Sequence, residues 1–200
     1  KDGEYDAKLS AFKQEPVKKF TFDSTTLVEK ASKDLEEQCK KGLVAKSISK
    51  KTIKRSPREP FRTSVLQQQA SNRFGFTPKR TMQVAQSLYA REGGGLITYI
   101  RTDSIEIDEG KVPAVRSQVA SMFGEDFVQP RNYKNKKEAK NIQEAHGAIT
   151  PVDIGLVPAD AKKILKDDEF KLYQLIWQRT VASQMKDAIF ERTSIEFVPT

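Results

Sequence analysis

Between Ser24 and Lys41 the apolar residues fall at Leu27, Ala31 and Leu35, one stripe of a helix. Ser24 or Thr25 is placed to cap that helix, and Gly42 stands where a C-terminal glycine belongs. The period then changes. Leu43–Arg55 alternates apolar with polar residues (Val44, Ile48, Ile53) and predicts a strand. Val17–Phe22 alternates weakly and predicts another, as does Tyr5–Phe12. Ser56-Pro57-Arg58-Glu59-Pro60 breaks the pattern and predicts a domain boundary.

A helical block comes next. Thr63–Phe74 places Leu66, Ala70 and Phe74 on one stripe and stops at Gly75; Pro78 opens a second helix that runs to about Arg91, with Ala85, Leu88 and Tyr89 facing inward. Gly93-Gly94-Gly95 predicts a hinge or loop, and Leu96–Ile100 a short buried extended segment. Val112, Val115, Val119 and Met122 mark a further helix closed by Gly124. Gln129–Asn141 is polar and basic, hence a loop. Pro158–Lys166 predicts a short helix, Asp168–Met185 a longer one carrying Leu172, Leu175, Ile176 and Val181, and Ile189–Val198 a closing strand. The expected fold is mainly α with a smaller β-containing part (α+β). Residues 1–58 and 188–200 would form one domain, and residues 59–187 a helical domain inserted on two connections.

Composition narrows the function. No apolar run approaches the length of a membrane helix. One cysteine, Cys39, and one histidine, His146, exclude a disulfide framework, a Cys-based zinc site and a multi-histidine metal centre. An intracellular chain is expected. It lacks an initiator Met and closes on the strand-like Phe197-Val198-Pro199-Thr200, so a piece of a longer protein is expected as well.

The net charge is +8, and the excess is uneven. Lys40 to Arg58 carries eight basic residues and no acidic one. Such a stretch suits a polyanion, since neutralised phosphates release counterions; a lysine-studded strand edge kept in solvent fits it equally well.

Gly95-Leu-Ile-Thr-Tyr-Ile-Arg-Thr-Asp-Ser104 is the most unusual stretch. In extended chain Tyr99 and Arg101 share a face. An arginine can hold a phosphate by two parallel hydrogen bonds while a tyrosine hydroxyl attacks it. On spacing alone a packed strand tyrosine is the commoner occurrence, and Thr102-Asp103-Ser104 also reads as a turn or helix cap. His146, in Gln143-Glu144-Ala145-His146-Gly147-Ala148-Ile149-Thr150-Pro151, can relay a proton or touch a phosphate; a lone histidine is more often structural. Gln67-Gln68-Gln69 with Ser71, Asn72 and Arg73 can bond DNA sugars and phosphates, or form a solvated helix face.

Together these runs resemble a family. Pro60-Phe61-Arg62-Thr63-Ser64-Val65-Leu66-Gln67-Gln68-Gln69-Ala70-Ser71 resembles a stretch of type IA DNA topoisomerases. Lys79-Arg80-Thr81-Met82 with Ala85-Gln86-Ser87-Leu88-Tyr89 is similar to the family's next helix. The Gly95–Ser104 run resembles its active-site signature, and Glu144-Ala145-His146 its downstream histidine motif. Leu172-Tyr173-Gln174-Leu175-Ile176-Trp177 with Ser183-Gln184-Met185 is similar to the helix leaving its catalytic insert. The bacterial topoisomerase I type is the nearest; topoisomerase III and reverse gyrase share the core.

The resemblance implies that Tyr99 cleaves one DNA strand through a 5′-phosphotyrosyl bond. Arg101 would stabilise the scissile phosphate, and His146 would contact phosphate or relay a proton. Thr98, Thr102, Asp103, Ser104, Gln67, Ser71, Arg73, Lys79 and Arg80 would contact DNA. It further implies ATP-independent relaxation of negatively supercoiled DNA, preference for single strands, a cytoplasmic monomer, and a toroidal fold. In that fold residues 59–187 would be the catalytic domain and the flanks part of an arch. Where the family has Glu after the histidine and Arg before the proline, this chain has Gly147 and Thr150; neighbouring basic residues such as Lys140 would partly substitute. The family's magnesium is held by Asp-x-Asp in a Toprim domain, and this chain contains no Asp-x-Asp. The implied partners are therefore DNA and the rest of its own chain, with half an active site here, no metal bound and no relaxation by these 200 residues alone. The alternative is a non-catalytic DNA-binding or interaction module in which Tyr99 merely packs. A tyrosine recombinase would need several Arg and His residues around the nucleophile, which one histidine does not provide.

Overall fold

The structure is a computed structural model and describes residues 6–135 and 146–200. Lys140, Glu144, Ala145, the end of the expected Gln129–Asn141 loop and Tyr5 lie outside those residues. The chain divides into two compact units, Lys1–Thr52 with Glu191–Thr200, and Ile53–Phe190.

The first unit holds a two-residue hairpin, β1 (Ala11–Phe12) with β2 (Glu15–Pro16), turning at Lys13 and Gln14, both at positive φ. The expected Val17–Phe22 strand does not form. Lys18 N–H donates to Thr21 Oγ1 at 2.7 Å, which turns the chain there, and Phe20 is left exposed. Helix α1 (Thr25–Cys39) starts at Ser24, whose Oγ accepts from Leu27 N–H. Only Ala31 of its expected stripe is buried. Its C-cap is Lys40, so Gly42, at φ +103°, lies one position beyond the place expected. Strands β3 (Leu43–Arg55) and β4 (Ala188–Pro199) pair with each other in a two-stranded sheet. Lys50–Glu191 at 2.9 Å and Lys46–Glu196 at 3.6 Å climb one strand while descending the other, an antiparallel arrangement.

The second unit is helical: α2 (Thr63–Phe74), α3 (Pro78–Tyr89), α4 (Val112–Phe123), a 3-10 turn at Glu125–Phe127, α5 (Pro158–Ile164) and α6 (Asp167–Ser183). Gly75 closes α2 in the left-handed conformation at φ +67°. Thr77 caps α3 ahead of Pro78, its Oγ1 accepting from Arg80 N–H. Helix α6 buries Leu172, Tyr173, Leu175, Ile176, Trp177, Thr180 and Val181, too many for one stripe, which makes it the centre of the core. Its two large polar aromatics are satisfied: Tyr173 OH donates to Leu156 O at 2.7 Å and Trp177 Nε1 to Ile154 O at 2.9 Å. Burial pushes the Tyr173 phenol well above its usual range.

Two carboxylates in this unit titrate low. Asp187, just before β4, accepts from Ser56 first and from Arg131 second, and both hold it down. For Glu169 burial pulls upward, but Ser87 Oγ at 2.7 Å, Lys166 N–H at 3.1 Å and Arg91 outweigh it. Both groups hold their protons less tightly folded than unfolded. Their stabilisation is therefore complete above the ordinary carboxylate range and disappears as pH falls through their lowered folded values. Acid titration of the thermal midpoint should show a fall beginning near about pH 4. Asp187→Asn and Glu169→Gln should each flatten that fall.

Candidate active site

The three glycines return the chain over the last turn of α3. Gly93 and Gly94 sit at φ +85° and +120°, where a side chain is strained. Gly95 is required for another reason: a Cβ there would stand 2.3 Å from the Tyr89 carbonyl oxygen. Leu96 N–H donates to Leu88 O at 2.8 Å and completes the return. Gly95→Ala should push the adjoining segment off α3 and cost about 1–3 kcal/mol, read by thermal unfolding.

The segment from Ile97 to Ser104 is held between two other stretches of chain by hydroxyls. Phe61 bridges Ile149, and Ile97 bridges Pro151, each antiparallel. Thr98 N–H donates to Thr150 O at 2.9 Å; its hydroxyl donates to Ala148 O at 2.8 Å and accepts from Thr150 N–H at 2.9 Å. Thr102 Oγ1 donates to His146 O at 3.2 Å and accepts from Ser104 N–H at 3.0 Å. On the other side Thr63, first residue of α2, donates from its hydroxyl to Ile100 O at 2.7 Å and accepts from Thr102 N–H at 2.9 Å. The Thr63 N–H donates to Thr102 O, so an otherwise unpaired amide of the first helical turn is satisfied by the site itself.

Tyr99 and Arg101 are thus mounted between two fastened threonines. Ile97 and Ile100 are buried beneath them, 1% and 2% exposed. The strict alternation expected of an extended strand is not kept: the chain bends at Ile100–Arg101, leaving Tyr99 half-buried and Arg101 exposed. The Tyr99 ring touches two others. The His146 ring centroid is 4.4 Å away, tilted 44°, and the Tyr89 centroid 5.7 Å away, edge-on at 70°. A phenol in ring contact with an imidazole, and an exposed guanidinium two residues further on, are equipped to attack a phosphodiester.

The remaining expected DNA contacts divide. Thr98, Thr102 and Ser104 spend their hydroxyls inside, Ser104 on Glu106 N–H and Asn135 Nδ2, so what they offer is backbone positioning. Asp103 is exposed beside Arg101. Gln67 and Ser71 succeed Thr63 at four-residue intervals on α2, half-buried and exposed; Arg73, in its last turn, and Lys79 are exposed. Arg80 is occupied structurally, bonding Asp168 Oδ2 at 2.6 and 2.9 Å with its guanidinium 4.5 Å over the Phe76 ring. In the Lys40–Arg58 stretch Lys46 and Lys50 are paired across the two-stranded sheet, and Arg55 lies over Phe190, which weakens its case as a polyanion track.

Three residues of the site carry no functional signal in the sequence. Thr63 stands in a family-like run without a role of its own. Tyr89 reads as core, yet is 39% exposed and reaches Tyr99. Asn135, whose Oδ1 accepts from Ile105 N–H, sits in a polar loop among many similar residues. Among the described residues no group of three or more His, Cys, Asp or Glu side chains is placed to hold a metal ion, so those residues do not fit a magnesium site of their own. None of the described helices is long and apolar enough to cross a membrane.

Comparison with known proteins finds relatives by sequence and by fold. A family model described as DNA topoisomerase matches residues 3–199. DNA topoisomerase 1 of Rickettsia bellii is 40% identical over 195 residues, covering 94% of this chain and 24% of that protein. The Streptomyces coelicolor protein of the same name is 52% identical over 146 residues, covering 72% of this chain and 15% of that one. The solved full-length topoisomerase I of Thermotoga maritima superposes with a TM-score of 0.67 at 35% identity, over 84% of this chain and 27% of that one. The chain spans about a quarter or less of the length of these relatives.

Proposed function

The chain belongs to the bacterial DNA topoisomerase I family, and from that premise we propose that it carries the strand-cleaving half of a type IA active site. Tyr99 is the nucleophile. Its oxygen bonds to a DNA phosphorus, the bond from that phosphorus to the 3′ oxygen breaks, and the 3′ oxygen takes a proton. The 5′ end is left on Tyr99. Religation runs the same step backwards, so no ATP is needed. Arg101 holds the phosphate oxygens, and His146 contacts the phosphate or relays the proton. Residues 59–187 serve as the catalytic domain and residues 1–58 with 188–200 as part of the arch. The substrate is single-stranded stretches of negatively supercoiled DNA. Magnesium belongs to acidic side chains outside these 200 residues, and no step here is routed through it.

The observation that carries this reading is the Tyr99–His146 ring contact inside a segment fastened at Thr98 and Thr102. The test uses the complete polypeptide with magnesium and a labelled single strand, stopped with denaturant. A 3′ label should migrate with the protein and a 5′ label should leave as a free fragment. The reverse pattern would refute the assigned polarity. Binding without any adduct would favour the non-catalytic module.

A further inference from the structure

We propose that Tyr89 is a positioning residue for the nucleophile, holding the Tyr99 ring from the end of α3. The inference rests on Tyr99 being the nucleophile and goes beyond it. Tyr89 is 39% exposed at the last position of α3, where a tyrosine on this stripe would ordinarily turn inward and bury. It instead presents its ring edge-on to Tyr99 at 5.7 Å, an arrangement favoured by the opposed charge of ring edge and ring face.

The backbone beneath it is unusually constrained for a helix end. The Tyr89 carbonyl is covered by Gly95, which has room for no Cβ, and its neighbour Leu88 accepts from Leu96 N–H. Ala90 N–H donates to Gln86 O at 2.9 Å and closes the turn. The segment entering the signature is therefore laid directly on the residue whose side chain meets the nucleophile. The contact between Tyr89 and Tyr99 is ring to ring, and what Tyr89 fixes is the torsion of the half-buried Tyr99 side chain. With His146 as the second ring in contact, fewer orientations remain for the attacking oxygen. A misplacement of about 1 Å can cost on the order of 10²-fold in rate.

This predicts that the ring of Tyr89 matters and its hydroxyl does not. In the complete polypeptide with magnesium, Tyr89→Ala should slow single-turnover formation of the covalent adduct by about 10- to 100-fold. Affinity for the same strand should change less than about threefold and the thermal midpoint only modestly, since 39% of the residue already faces solvent. Tyr89→Phe should restore the wild-type rate. Wild-type rates in Tyr89→Ala, beside a wild type that forms its adduct, would overturn the inference and leave the assignment of Tyr99 intact. Weakened binding at an unchanged cleavage rate would also overturn it, making Tyr89 a surface on which a base stacks. Failure of Tyr89→Phe to rescue would do the same by placing the effect in the hydroxyl. A wild type that forms no adduct would sink both readings together.

Discussion

Tyr99→Phe in the complete polypeptide should abolish covalent capture of DNA and reduce relaxation by at least about 10⁴-fold, while binding of a single strand stays within a few-fold of wild type. The substitution removes one oxygen. The phenylalanine ring can keep both the edge-on contact with Tyr89 and the tilted contact with His146. The surrounding hydrogen bonds run through Thr98, Thr102 and Thr63 and touch no atom of Tyr99. The site should therefore keep its shape without its nucleophile. Relaxation on an agarose gel and denaturant trapping read the two losses; fluorescence anisotropy reads the binding. Retained relaxation would move the nucleophile to another residue.

Phe61→Ala should cost about 3–5 kcal/mol of stability, enough to lower the urea midpoint of the chain by roughly 1.5–3 M. Phe61 has no exposed surface. Its carbonyl accepts from Ile149 N–H at 2.8 Å, and the Arg179 guanidinium lies 4.2 Å over its ring. Arg179 is half-buried, and burial first and the neighbouring Arg58 next lower its pKa. Removing the ring leaves a cavity and a half-buried guanidinium that still donates to Glu59 O at 3.1 Å but has lost the ring beneath it. The damage would spread along Ile149 to Thr150, the partner of Thr98. A midpoint within about 0.5 M of wild type would show that the cavity closes by repacking.

Elements with a strong period or a strong stop are legible in the sequence. β3 is bounded by its alternation and by Ser56-Pro57, α2 by Gly75, and the start of α3 by Pro78. Val17–Phe22 misleads because weak alternation with no partner strand and no core face cannot hold an extended chain. The signature segment is recognisable as chemistry but not as geometry. Its conformation is set by hydroxyl-to-backbone bonds spanning 37 to 52 residues, and sequence periodicity carries no trace of such bonds. The same limit hides Thr63, whose helix-opening position says nothing of the segment it grips. Tyr89 reads as inward-facing because the helical stripe ends on it, yet it is 39% exposed; the stripe does not reveal that a glycine-rich return brings a second tyrosine to meet it.

The threonine fastenings also bear on how this region breathes. Thr98, Thr102 and Thr150 lie outside helices and ladders, yet each amide hydrogen has an internal acceptor: Thr150 O, Thr63 Oγ1 and Thr98 Oγ1. Solvent deuterium can reach those amides only when an opening frees the threonine contacts. Because the three segments share them, they would open as one cooperative unit. A stretch that looks like irregular loop is thereby expected to exchange on the slow timescale of the helices around it, and to carry Tyr99 as part of a single rigid body.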